Sequence, residues 1–210
     1  MDNKWGDLAV NNIKRTRRDI IQSVVTVAVA GAATSFSSSA VAALTENGKT
    51  WGISSHPHFD RVMAPWLVKR FVDKDAKFVF SEKVEQLPKG AISMGYPTGD
   101  LTAHDEAGSC FHKTIVKYKI DDPAVLILDK MNGQALTWSG MNRKNGDWKT
   151  QQLPVDMNDR YARWGFGLMG LADAYLQKAK SDQEALDLSF PVYDALYALI
   201  TKELKDQKKG

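Results

Sequence analysis

The chain has one cysteine, Cys110, in 210 residues, so no internal disulfide can form. In an oxidising compartment a lone thiol is buried, metal-bound or paired with another chain. Several catalytic signatures are also missing. There is no glycine-rich phosphate loop, no nucleophile elbow and no His-Glu-x-x-His helix. Neither an internal repeat nor a low-complexity tract interrupts the chain after its N-terminal stretch. The one N-terminal apolar run, residues 20–33, is broken by Gln22, Ser23 and Thr26 and is too short to span a bilayer comfortably.

That run has a different use. A basic segment, Lys14, Arg15, Arg17 and Arg18, precedes it, and Ala40-Val41-Ala42 supplies the small-x-small pattern of a cleavage site. Residues 1–42 read as a signal peptide, with a retained anchor as the other reading. Arg17-Arg18 followed by Ile20 and Ile21 is similar to a twin-arginine export motif; the alternative is an ordinary secretory signal with paired arginines. The twin-arginine resemblance implies export to the periplasm in a folded state. Removing Lys4, Lys14, Arg15, Arg17 and Arg18 takes Lys plus Arg from 28 to 23, and removing Asp2, Asp7 and Asp19 takes Asp plus Glu from 25 to 22. The mature chain is then near +1, which gives no sequence-independent pull toward nucleic acid.

What remains, 43% hydrophobic and 25% charged over the whole chain, suits one globular domain over residues 43–210. Residues 51–55 are expected to be extended and to feed the segment 56–71. In an extended chain His56, His58 and Asp60 would share a face. Met63, Trp66, Leu67, Arg70 and Phe71 then follow helical spacing. Pro65 places the helix start near Met63 or Ala64, with Asp60 just before it as a capping carboxylate. Strands are expected over 77–82 and 91–94, a short helix over 111–118, and a helix opening at Asp122-Pro123. Residues 133–156 read as a loop or hairpin insert. Trp164, Leu168, Leu171 and Tyr175 form an apolar stripe beside Gly165, Gly167 and Gly170, which would admit a close neighbour. The last helix is expected to begin at Pro191 with Val192, Leu196, Leu199 and Ile200 inward. The fold class is α/β (α+β): a small β-sheet with packed helices and a helical C-terminal third.

Three segments carry a family resemblance. Residues 58–73, opening His58-Phe59-Asp60-Arg61 and continuing Pro65-Trp66-Leu67, resemble the start of the C-terminal domain of the chromate-resistance protein ChrB. The loop His104 to Cys110 is similar to a His-x-Gly-x-x-Cys region of that family, and Tyr193-Asp194-Ala195-Leu196-Tyr197 to its terminal signature. The departures are equally specific. Ala64 stands where the family has a cysteine, and Phe111-His112-Lys113 where it has Thr-Phe-Glu. A Val-Arg-Gly-Ala-Asp stretch is not legible around Lys130-Met131-Asn132-Gly133, and a signal peptide replaces the N-terminal regulatory domain. The resemblance implies a link to chromate or other oxyanion stress.

His58, Asp60, His104 and Cys110 are the candidate metal ligands, in residue type suited to a divalent zinc or iron ion. The bland alternative makes His58 and Asp60 a capping pair and Cys110 a buried small hydrophobe. Arg61 is the candidate oxyanion contact, whereas Lys69 and Arg70 read as a solvated helix face. Asp194, flanked by Tyr193 and Tyr197, either contacts an oxyanion or orients a ligating histidine together with Tyr197, or is a carboxylate favoured near a helix N-terminus. His56 and His112 read as exposed or structural. The leading function is an exported metal-binding protein of chromate stress, with a non-enzymatic oxyanion or metal sensor or scavenger as the alternative. The expected partner is a metal ion or small oxyanion, with no nucleic acid and no membrane anchor after cleavage. Whether the chain is an enzyme, and its oligomeric state, are left open by the sequence.

Overall fold

Residues 50–54 carry Trp51, Gly52 and Ile53 as a continuous buried run, the pattern of a strand covered on both faces. In the computed structural model, which describes residues 45–145 and 158–209, this strand is the centre of a parallel sheet. Strand β1 (Thr50–Ser54) pairs with β2 (Lys77–Ser81) on one side and β3 (Ile92–Met94) on the other, giving the order β2-β1-β3. The three expected strands are therefore present. The signal-peptide reading lies outside the described residues, as does the part of the expected insert from 146 to 156.

Helix α1 (Asp60–Leu67) runs into a wider π-turn (Val68–Val72), and together they cross from β1 to β2. The crossover ends on Asp73, whose buried carboxylate accepts from Gly48 N, Lys49 N, Asp75 N and the Trp51 indole. The helix starts earlier than Pro65 suggested. Phe59, at φ 35°, turns the chain sharply, and Arg61 N already donates to His58 O, so Pro65 falls inside the helix. Positive φ at His56 (55°) and Phe59 also overturns the expected extended run, so the shared face of His56, His58 and Asp60 is not formed that way.

Helix α2 (Cys110–Tyr118) begins at Ser109, whose hydroxyl accepts from His112 N. Asp122 accepts from Ala124 N and Val125 N and opens α3 (Pro123–Asn145), as the Asp-Pro pair predicts. That helix does not stop at Gly133. Leu128, Met131 and Ala135 keep a buried helical stripe across the glycine, and the backbone stays helical to Asn145. Helices α4 (Arg160–Lys178) and α5 (Asp182–Gln207) complete the helical C-terminal third.

Helix α5 begins at Asp182, capped by the Ser181 side chain, and Pro191 lies in its interior. The expected start at Pro191 is thus corrected. Its buried face is also rotated from the expected one: Tyr193, Tyr197 and Ile200 point inward, while Leu199 is 43% exposed. The cause is the β1–β2 crossover, where Trp66 of α1 meets the rings of Tyr193 and Tyr197 and Phe71 of the π-turn meets Tyr197. Trp51, Ile53, Phe59, Met63, Trp66, Leu67 and Phe111 form the core between the sheet and these helices.

Candidate functional site at the carboxyl edge of the sheet

The order β2-β1-β3 sends the chain from β1 to one side through α1 and then to the opposite side for β3. In open parallel sheets, ligands bind outside the strands' carboxyl ends. Here those ends are Ser54, Ser81 and Met94. Tyr96 closes the β1–β2 side, its hydroxyl lying 2.9 Å from both Ile53 O and Ser81 O. Arg61 occupies the β1–β3 side. Its Nη1 donates to Ser54 Oγ at 3.0 Å, and its stem lies over Gly95, which follows β3. Gly95 has φ 75°, and a Cβ there would come within 2.8 Å of the Arg61 stem, so glycine is required twice over.

Asp60, next to Arg61, faces inward and is 6% exposed. It does not cap its own helix. One oxygen accepts from Cys110 N at 2.9 Å; the other accepts from Phe111 N at 3.1 Å and Asn132 Nδ2 at 2.8 Å. It therefore caps α2, fifty positions on, in the position where a helix dipole favours a carboxylate. Asn132 also donates to Ser109 Oγ, tying α3 to the same point.

Cys110 is fully buried, with its thiol 3.6 Å from Leu101 O. Burial, and secondarily the charge of Asp60, pushes the thiol well above its ordinary pKa. It is a neutral thiol at physiological pH, the reverse of a reactive or ligating thiolate. His58 is half-buried on the β1–α1 connection, and its Nε2 lies 2.6 Å from Asp173 Oδ1 of α4. The same connection is held at His56, whose backbone N–H donates to Asp182 at the head of α5. His104 is exposed on the loop between β3 and α2.

The sequence-nominated residues thus fall into separate groups. Asp60, Arg61 and Cys110 come together where α1 and α2 begin, and His58 precedes them on the connection that carries Arg61. Asp194 lies elsewhere, on α5: it accepts from Trp66 Nε1 and, through both oxygens, from Arg70, each at 2.8 Å. Arg70 is therefore a forked partner that joins the π-turn after α1 to α5, not a solvated helix residue. Tyr197 donates to Asp122 Oδ2 at 2.8 Å, bracing the cap of α3. Among the described residues, no three His, Cys, Asp or Glu side chains are grouped so as to hold a metal ion. Ser54, Gly95, Asn132 and Asp173 were not anticipated. Gly95, Asn132 and Asp173 are distant in sequence from their partners, and only the closed sheet and helices bring them together; Ser54 lies seven residues before Arg61, across the turn at Phe59.

Residues 51–143 match the family model described as ChrB, C-terminal domain. The stretch runs from β1 into α3, so it includes His58, Asp60, Arg61, His104 and Cys110 and leaves Asp194 and Tyr197 beyond it. The chain is also similar to Protein ChrB of Cupriavidus metallidurans, with 34% identity over 55 residues, 26% of this chain and 17% of that protein. It therefore spans only a small part of the length of that curated relative. No solved structure matches.

Proposed function

We propose that this ChrB-related chain binds a small oxyanion of the chromate class at the carboxyl edge of its sheet, as a non-enzymatic sensor or scavenger in chromate stress. The observation that carries this reading is Arg61, held against Ser54 and Gly95 at the carboxyl ends of β1 and β3. A guanidinium is a planar fork of donors with a permanent charge, suited to tetrahedral oxyanions. His58, three residues before Arg61, is held by Asp173, its Nε2 2.6 Å from Asp173 Oδ1. Export belongs to the same proposal: cleavage after Ala42 leaves a periplasmic chain that meets the anion outside the cytoplasm.

The competing reading is a zinc or iron ion held by His58, Asp60, His104 and Cys110. It requires Asp60 to release three N–H donors and Cys110 to ionise in the interior, both unfavourable. Equilibrium dialysis of the mature chain against chromate, and against sulfate as a redox-inert analogue, separates the two. Arg61→Gln is expected to weaken both anions by about tenfold or more, the scale of one charge-assisted hydrogen bond. Undiminished binding by that variant would contradict the oxyanion reading. Stoichiometric zinc or iron that His58→Ala and His104→Ala abolish would replace it with the metal reading.

A further inference from the structure

A second histidine, on α2, is held in a defined pose by partners other than those of Arg61. His112 sits in the first turn of α2, and its Nδ1 lies 2.7 Å from Asp129 Oδ2 on α3. Asp129 is 18% exposed and His112 is 43% exposed at the side chain, so the carboxylate is the inner partner. The other edge of the ring rests on Gly108. A Cβ at that residue would come within 2.8 Å of His112 Cδ2, and its φ of 111° suits glycine alone. Carboxylate on one side and bare backbone on the other fix a ring that is otherwise half exposed. No described group bonds Nε2. In the neutral tautomer that donates Nδ1–H to Asp129, Nε2 carries the lone pair and can accept a proton from a substrate.

Two exposed apolar side chains lie one helical turn from the pair. Val116, one turn along α2 from His112, is 63% exposed, and Leu126, one turn before Asp129 on α3, is 47% exposed. They give the opening an apolar rim. The charged neighbours are already paired: Lys113 with Asp105, and Lys130 with Asp159. The N–H groups that begin α2 are consumed as well, at Cys110 and Phe111 by Asp60 and at His112 by Ser109. The place therefore offers a base and an apolar rim, without a built oxyanion hole.

We propose that His112, oriented by Asp129, is a general base that activates water for hydrolysis of small, uncharged esters with an acidic leaving group. Nε2 takes a proton from water as the water oxygen attacks the ester carbonyl. The carbon–oxygen bond to the leaving group then breaks, and the imidazolium returns its proton to the departing oxygen. One water is consumed, and a carboxylic acid and an alcohol are released. An acidic leaving group compensates for the missing oxyanion donors. This site is independent of Arg61, so either proposal can fail without the other.

The test uses 4-nitrophenyl acetate and 4-nitrophenyl butyrate with the full mature chain, following 4-nitrophenolate release. His112→Ala is expected to lower the rate by about a hundredfold, within the range of general-base catalysis. Free imidazole added to that variant is expected to restore part of it. Asp129→Asn, acting as a positioning change, is expected to lower kcat with little effect on KM. Val116→Lys is expected to raise KM for the butyrate more than for the acetate. His112→Ala hydrolysing either ester at the wild-type rate, with an unchanged melting temperature, would overturn the proposal. So would a wild-type rate no faster than that of free imidazole at equal concentration.

Discussion

Asp194 shows how one carboxylate can join two helices. It accepts the Trp66 indole N–H and a forked pair from Arg70, so α1 and α5 meet through a charged bond at the edge of an aromatic cluster. Burial pushes its pKa up, but the hydrogen bonds from Arg70 and Trp66 and the charge of Arg70 outweigh this and leave it below the ordinary 3.8. A carboxylate depressed in the folded state stabilises the fold above its unfolded pKa and loses that contribution as pH falls through the folded value. Asp194→Asn is expected to destabilise the chain at pH 7 by about 1–3 kcal/mol, with solvent screening holding it toward the lower end. The gap from wild type should close as urea titrations are repeated at pH values falling below 3.8. A gap that stays constant over that range would contradict the assignment. Asp60 is the inward counterpart. Its importance was legible in the sequence and its partners were not, because the N–H groups it caps belong to a helix that only the folded chain brings to it. Asp60→Ala would strand three buried donors, and a loss of about 3 kcal/mol or more in unfolding free energy is expected from urea titration.

The elements were read with uneven success, for identifiable reasons. Strands β1, β2 and β3 and helix α2 were legible because their apolar runs are short and bounded by turns. The Asp122-Pro123 cap announced α3, but the glycine and polar residues from 133 on masked its continuation, although Leu128, Met131 and Ala135 carried the period. For α5 the proline rule misled. A proline is most at home in a first turn, yet a long helix packed along α1 tolerates one lost hydrogen bond. The competing signal, Ser181 three residues before Glu184, was present in the sequence, and Ser181 accepts from Glu184 N in the structure. The three glycines of α4 also divide. A Cβ at Gly165 would come within 2.8 Å of Met131 O of α3, whereas Gly167 and Gly170 have open space. Gly165→Ala should therefore cost about 1–3 kcal/mol by forcing α3 and α4 apart. Gly170→Ala should stabilise by up to about 1 kcal/mol through helix propensity. Equal melting shifts for the two variants would refute the close approach at Gly165.

At the scale of the molecule, the sheet order does what no local pattern could. The sequence nominated His58, Asp60, Arg61, His104 and Cys110 by residue type and resemblance, and the match over residues 51–143 covers all five. The fold then sorts them: Asp60 and Cys110 turn into the interior, while Arg61 stays at the carboxyl edge with Ser54 and Gly95 around it. That sorting depends on which strand lies beside β1, and β3 arrives there only after a long connection. The most direct measurement is an NMR titration of the mature chain with sulfate, following backbone amides and arginine side-chain N–H signals. Saturable shifts are expected at the Arg61 Nε–H and at the amides of Ser54, His58 and Gly95, with His104 and Cys110 unmoved. Shifts confined to His104 and Cys110, or no saturable shift at Arg61, would contradict an oxyanion site at the end of β1.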